Sequence, residues 1–379
     1  MSEAKTFRVV IAGGGVAALE AAIALRELAG ALVSVQLVAP NTEFSYRPMS
    51  VREPFAYAPA DQYPLAEIAA DIGAELVVDE FAWVDTEQQI AHTTKGVELA
   101  YDALMLALGA HMKSPFGHGL TIDDRRMDEL LHGVVQDVEE GYVRSIAFVA
   151  PARMGWPLPL YELALMTAAR AYDMGVHADL TIITPETAPL AIFGDEASEA
   201  VGELLSDAGV TVITSAHAQV PEEGQVVIQN GETTLNADRV IVLPELFGPS
   251  VRGLPAGEHG FIPIDEHAKV RGVDRVYAAG DAADFAVKHG GLAAQQADAA
   301  AESIAALAGA QLTPEPFRGE IHGVLLTGRK PRYLTAHISG SRGYSSQITE
   351  TATWIPATKI AAQYLAPYLA RRADSPNAA

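Results

Sequence analysis

Gly13, Gly15 and Ala18 fall at the spacing G-x-G-x-x-A, a pattern that lets a chain wrap the pyrophosphate of a dinucleotide. Each residue type has a reason. Gly13 permits the tight turn, Gly15 lets the backbone approach phosphate oxygens, and Ala18 allows a helix and a strand to pack closely. The helix start then offers unpaired N–H groups and a positive dipole end to the phosphates. This chemistry needs a strand before the glycines and a helix after them. Residues 8–12 (RVVIA) form the short apolar run of a buried parallel strand, and residues 17–28 read as an apolar helix. Residues 34–38 are the next buried strand, which closes one β-α-β unit. The acid expected at the end of that strand to hold a ribose is missing. Ala39 and Pro40 stand there, which leaves Glu43 or a backbone group for the task.

Further along, residues 275–279 read as a strand that ends in Gly280–Asp281. A carboxylate held there, beside the following helix at 291–308, can accept hydrogen bonds from a ribityl hydroxyl. Between the two signals, residues 44–54 form an aromatic, arginine-bearing loop. Its Arg47 and Arg52 are either phosphate contacts or solvated surface arginines. A helix at 64–71, a strand at 74–78 and a small antiparallel meander over 81–99 follow, then an apolar strand (101–110) closed by Gly109. A second β-α-β unit comes next, with strands at 145–149 and 179–183 around a helix at 160–171. Its tail, IITPETAP, echoes LVAPNTEF of the first unit, so the unit reads as an internal duplication. A helix at 194–209, a strand at 210–214, a hairpin turning at Asn230–Gly231 and a return strand at 239–243 complete it.

Bulk properties narrow the class. The 379 residues, 49% of them hydrophobic, suffice for two or three domains with a sizeable core. A net charge of −22 argues against nucleic acid and anionic membrane surfaces as partners. There is no cysteine, which excludes disulfides, thiolate metal sites and a dithiol relay. The histidines are scattered, with no H-x-x-x-H and no carboxylate cluster to suggest a metal. No apolar run precedes the first strand and no segment is long enough to span a membrane, so a soluble, cytoplasmic α/β protein is expected.

Three motifs in order, GGGVAALE (13–20), YDALMLALGA (101–110) and VYAAGDAADF (276–285), resemble the FAD-dependent pyridine nucleotide-disulfide oxidoreductase superfamily. Within it the chain is similar to the branch of sulfide:quinone reductases and flavocytochrome c sulfide dehydrogenases, with type II NADH dehydrogenases as neighbours. The resemblance implies an α/β fold of two Rossmann-like domains with a C-terminal extension. FAD would be bound by residues 1–112 and 251–318, with a second nucleotide-type domain at 113–250 and an interface or partner region at 319–379. It also implies roles. Gly13, Gly15 and Ala18 match the pyrophosphate turn, and Asp281, after Gly280, matches the aspartate facing ribityl and pyrophosphate. Lys288 with Gly290 and Gly291 matches the loop and helix start beside the flavin's pyrimidine end, where a cation and a helix N-terminus favour negative charge. Otherwise Lys288 is a solvated loop lysine.

The second unit departs from the family. In place of G-x-G-x-x-G-x-E it reads Gly155-Trp156-Pro157-Leu158-Pro159-Leu160-Tyr161-Glu162. Pro157 removes a donor and Leu160 fills a place where backbones must approach. Thr184 stands where the ribose acid would be, so conventional nicotinamide binding is not expected. The sulfide-oxidising branch carries a redox cysteine at the position of Trp156, and without a thiolate the persulfide route is closed. Trp156 and Tyr161 then read either as a wall of the flavin or substrate pocket or as core. Glu162 reads either as a proton carrier at the flavin's reactive edge or as a helix cap. Near the C-terminus, Ile360, Tyr364, Leu365, Tyr368 and Leu369 make an apolar face that packs on the FAD domain or a dimer mate, or else rests on a membrane surface. The resulting expectation is an oxidoreductase passing electrons through non-covalent FAD to a small-molecule or quinone acceptor, or to a small electron-carrier protein. The alternatives are an NAD(P)H:acceptor reductase with unconventional nicotinamide binding and a non-catalytic flavin-binding sensor or assembly protein.

Overall fold

The computed structural model describes residues 6–228, 233–339 and 342–373. Apolar runs become parallel strands in two places. The first four are β1 (Phe7–Ala12), β2 (Val33–Ala39), β3 (Glu75–Val78) and β4 (Ala103–Leu106); the next four are β5 (Ser145–Val149), β6 (Asp179–Ile183), β7 (Val210–Ile213) and β8 (Arg239–Val242), and β9 (Val276–Ala278) follows. The first sheet is ordered β9-β4-β1-β2-β3. The second runs from the short strand Leu120–Thr121 through β8-β5-β6-β7. Four strands of each sheet share one order, fourth-first-second-third, while the outer edge strand comes last in sequence in the first sheet (β9) and first in sequence in the second (Leu120–Thr121). The connections repeat as well. Helices α1 (Val16–Ala29) and α2 (Leu65–Ile72) link β1 to β2 to β3; α3 (Met127–Glu139) leads into β5; α4 (Leu158–Met174) and α5 (Asp195–Asp207) link β5 to β6 to β7. A three-stranded antiparallel meander precedes β4 in the first half and β8 in the second, at Phe81–Ala100 and at Ala218–Asn236. The duplication read from the two β-α-β units thus extends to both sheets. The turn expected at Asn230–Gly231 lies outside the described residues.

Burial follows the strand period. Ile146 and Phe148 of β5 point to the helices of one core, and Ala147 and Val149 point to the meander on the other face. In the first sheet Val9, Val10 and Ile11 are wholly buried, as both faces of a parallel strand should be. Helix α6 (Gly290–Leu307) packs along α1, and both present alanines, which lets the axes come close.

The expected loop at 44–54 is instead a strand, Glu43–Ser45, followed by a 3-10 helix, Arg47–Phe55. After α6 comes a feature the sequence did not announce: the antiparallel sheet of β10 (Glu320–Leu325), β11 (Arg332–Ser339) and β12 (Arg342–Thr349). It packs on the second domain through Ile321, Leu325, Leu334 and Ile338, against Leu190, Ile192 and Phe193. Helix α7 (Leu365–Ala373) ends the described chain, and Pro367 falls in its first turn, where a missing N–H is tolerated. Ile360, Leu365, Tyr368 and Leu369 are buried in the first core with Tyr364 packed against it, so that face is used within the chain. No helix of the described residues is long and apolar enough to cross a membrane.

Candidate functional site

The first turn is built to leave space. Gly13 adopts φ +135°, and a Cβ there would lie 2.2 Å from the Ala107 carbonyl oxygen at the end of β4, so only glycine fits. A Cβ added on Gly15 would meet nothing within 4 Å. Gly15 is the N-cap of α1, and no side chain caps that helix, so its first N–H groups are not taken up by a cap. Ala18 is fully buried. An added Cβ on Gly280 would lie 3.5 Å from Ala17 and 3.3 Å from Ala293, which shows how closely the β9 turn meets α1 and α6. Gly109 takes φ +71° after β4. These features fit a dinucleotide pyrophosphate: a cradle that a side chain would fill, at an uncapped helix start.

The charged residues read from the sequence converge beside this turn. Asp281 sits in the one-turn 3-10 segment Gly280–Ala282. Burial pushes its carboxyl up, the Lys288 ammonium pulls it back, and Asp124 pushes it further up. Asp124 comes from the loop before α3, and its Oδ1 lies 3.8 Å from Arg47 Nη1. Arg47 is thereby brought toward Asp281, while the Arg52 guanidinium lies over the Tyr57 ring at 5.6 Å. Glu43 is exposed on its strand. Lys288 is not a solvated loop lysine: it is 9% exposed, its Nζ donates to the carbonyls of Ala283 (2.5 Å) and Asp281 (3.2 Å), and it lies 3.8 Å from the Phe261 ring centroid. Burial lowers its pKa to about 8, with Asp281 and Asp284 pulling the other way. Gly290 and Gly291 open α6 directly after it.

The second turn is closed. Pro157 is the N-cap of α4 and Pro159 occupies its first turn, so donors a phosphate would use are absent. A Cβ on Gly155 would lie 2.7 Å from Lys288 Cγ, and the Lys288 N–H donates to the Gly155 carbonyl at 3.0 Å. The turn therefore faces the Lys288 loop. Trp156 packs 4.5 Å from the His289 ring and 5.6 Å from Phe193, half-buried between them. Tyr161 is fully buried and donates to Glu186 Oε2 at 2.6 Å, where Thr184 Oγ1 also donates at 3.0 Å. An acid thus does follow β6, but two residues beyond Thr184 and turned inward. Burial raises Glu186 to about 7, partly offset by those hydrogen bonds. Glu162 caps no helix. Both its oxygens lie 2.7 Å from Lys359 Nζ, and Oε1 also accepts the Leu326 N–H at 2.9 Å. Burial pushes the Glu162 carboxyl up and Lys359 down, and each opposes the other's shift.

The sequence reading missed Lys359, His289, Asp124 and Glu186. Lys359 had a signal: it is the lone charge in the apolar stretch 354–369, and a buried lysine needs a carboxylate.

Comparison with known proteins agrees with this fold. The family model of pyridine nucleotide-disulphide oxidoreductases matches residues 7–141 and 162–302. An NADH dehydrogenase-like protein of Mycobacterium tuberculosis is 25% identical over 291 residues, covering 73% of this chain and 72% of that protein. The fold is similar to that of the sulfide:quinone oxidoreductase of Aquifex aeolicus, with a TM-score of 0.81 at 18% identity over 91% of this chain and 87% of the other. It is also similar to a ferredoxin reductase of Rhodopseudomonas palustris, with a TM-score of 0.67 at 19% identity over 87% and 82%.

Proposed function

The chain belongs to the pyridine nucleotide-disulphide oxidoreductase family, and from that membership we propose an FAD-dependent oxidoreductase that delivers electrons to a quinone or a small electron carrier without cysteine chemistry. The observation that supports this most is the contrast between the two turns: the first is open at Gly15, and the second is closed by prolines and seated on Lys288. In this reading residues 1–112 and 251–318 hold FAD, 113–250 form the second nucleotide-type domain, and 319–379 form an interface or partner region.

Bound there, FAD supplies reversible two-electron redox chemistry. The chain's own residues do the rest. The N–H groups at the start of α1 bind the pyrophosphate, with Arg47 as a nearby cation, and Asp281 accepts from the ribityl chain. Lys288 and the start of α6 favour negative charge at the pyrimidine end. Trp156, packed on His289 and Phe193, walls the pocket and keeps water out. Glu162 and Lys359 can hold a proton between Oε and Nζ and release it to a reduced acceptor, because burial brings the two affinities together.

The NADH dehydrogenase-like relative favours a second reading, in which nicotinamide is the donor through an unconventional site. An anaerobic absorbance titration separates the two. Under the first reading, NADH and NADPH leave the flavin band unbleached over minutes, while a short-chain quinol or dithionite reduces it. Rapid bleaching by NADH would overturn the claim that the turn at Gly155–Pro159 excludes nicotinamide.

A further inference from the structure

In a parallel ladder, alternate residues of a strand turn their backbone groups to opposite sides, so an end strand leaves a row of donors and acceptors unpaired. The two sheets treat that row differently. At the end of the first sheet, the Asp79 N–H reaches back to the Ala39 carbonyl at 3.1 Å, which turns the Val78 backbone outward. Lys95 Nζ donates to the Val78 carbonyl at 3.0 Å, and Glu75 adds a charge to β3. Charged side chains, lysine above all, are how edge strands are guarded against further pairing. At the end of the second sheet, the Thr184 N–H donates to the Ile213 carbonyl at 3.0 Å. The backbone groups of Thr211 and Ile213 therefore pair inward with β6, and those of Val210 and Val212 point outward. Strand β7 carries no charge, no proline and no bulge, and among the described residues no strand pairs with its outer side.

Beside this edge lies an open groove of about 460 Å³, lined by β7, Pro189, Gly202, Ser206 and Gly209. A Cβ added on Gly202 or Gly209 would meet nothing within 4 Å, so small residues keep the space next to the strand clear. Helix α5 lines the groove through Gly202 and Ser206. Helical spacing puts Glu199 on the same row, with Glu203 and Asp207 directly beside it. These three carboxylates are exposed, and none is in an ion pair among the described residues. Between Arg170 and Arg239 the sequence holds no Lys or Arg at all. The edge offers main-chain pairing to any extended chain, and the acids choose among such chains. A segment bearing Lys or Arg is attracted. Nucleic acid, anionic lipid and a second copy of the same acidic rim are repelled.

We propose that the outer edge of β7 is a docking site for an extended, lysine- or arginine-bearing segment of a partner protein, which joins the second sheet as a further strand. Val210 and Val212 supply the main-chain hydrogen bonds, the groove takes side chains from alternate positions, and Glu199, Glu203 and Asp207 hold the cations. Docking there needs no flavin.

The probe is a fluorescein-labelled octapeptide of alternating Lys and Val, compared by fluorescence anisotropy with the same peptide N-methylated at every amide. The two carry equal charge, and only the first can pair as a strand. At low salt the full-length wild type should bind the unmethylated peptide roughly tenfold more tightly, the size of one neutral hydrogen bond or two. Val212→Pro removes an outward N–H that β6 does not use, a change an edge strand tolerates, and should reduce that preference to about twofold. Glu199→Gln combined with Glu203→Gln should weaken both peptides alike and flatten the dependence on salt. A further check needs no variant: hydrogen exchange at the Val212 amide, followed by NMR in the wild type, should slow when the unmethylated peptide is added. Equal binding of the two peptides to the wild type, or unslowed exchange at Val212, would reduce the edge to a patch of charge and overturn the proposal. A wild-type chain that sediments as a dimer, and as a monomer in Val212→Pro, would give the edge to a second copy and overturn it as well.

Discussion

The Glu162–Lys359 pair carries more weight than any surface ion pair in the molecule. Its two side chains are 1% and 7% exposed with contacts of 2.7 Å, and the second domain and the C-terminal segment meet through it. Removing one partner strands a buried charge, whereas removing both does not. Lys359→Met should therefore cost about 3–5 kcal/mol of unfolding free energy. The double variant with Glu162→Gln, which still accepts the Leu326 N–H, should recover most of it. Urea unfolding of the two single variants and the double variant measures this, and strictly additive losses would refute the coupling. The exposed pairs, such as Arg318–Glu315, are expected to contribute little when deleted.

Among the elements, the sheet of β10, β11 and β12 depends on close approach. A Cβ on Gly343 would lie 2.0 Å from the Ile192 carbonyl oxygen, and one on Gly323 would lie 2.6 Å from the Phe193 ring. Both contacts fall on the segment after β6, so the sheet clamps the loop that carries Glu186 and Phe193 beneath Trp156. Gly343→Ala must push this sheet off the second domain and should cost about 1–3 kcal/mol, with faster hydrogen exchange in β11 and β12. A wild-type exchange pattern in that variant would show that the clamp is not needed. Helix α7 is tied down differently. Glu20 of α1 accepts the N–H groups of Tyr364 (2.9 Å) and Leu365 (2.5 Å), so a carboxylate inside the first domain serves as the cap of the last helix.

For the whole molecule, two buried groups shape stability against pH in opposite directions. Burial, with the Glu20 carboxyl as neighbour, raises Asp298 from 3.8 to about 9. The folded state keeps that proton, so the contribution is full below pH 3.8 and is lost as pH rises toward 9. Burial lowers His289 from 6.5 to about 3, so its contribution is full above pH 6.5 and is lost as pH falls toward 3. The two slopes offset each other between 3.8 and 6.5, Glu186, raised from 4.5 to about 7, adds a loss of stability as pH rises through that window, and between 7 and 8 Asp298 carries the fall. Asp298→Asn should flatten the fall in melting temperature between pH 7 and 8, and wild-type and variant curves that stay parallel there would refute the assignment. The parallel strands, the glycine turn between the first strand and helix, and the repeated β-α-β unit were legible in the sequence. They rest on local signals: apolar runs of strand length, glycines at a fixed spacing, and helices that follow at once. That Asp281 and Lys288 lie near each other was legible for the same reason, since both fall within a few residues of the strand and helix that position them. Lys359 and Glu162 are 197 residues apart, as are their elements, and no local pattern pairs them. The sheet of β10, β11 and β12 was illegible because its stability comes from the second domain it covers rather than from its own alternation. The sequence by itself determined the parallel-sheet frame and the glycine turn that opens its first helix, since short-range geometry decides both. Only the tertiary structure decided that the second turn faces Lys288 and that the acid after β6 turns inward, because each depends on which distant side chains burial brings together.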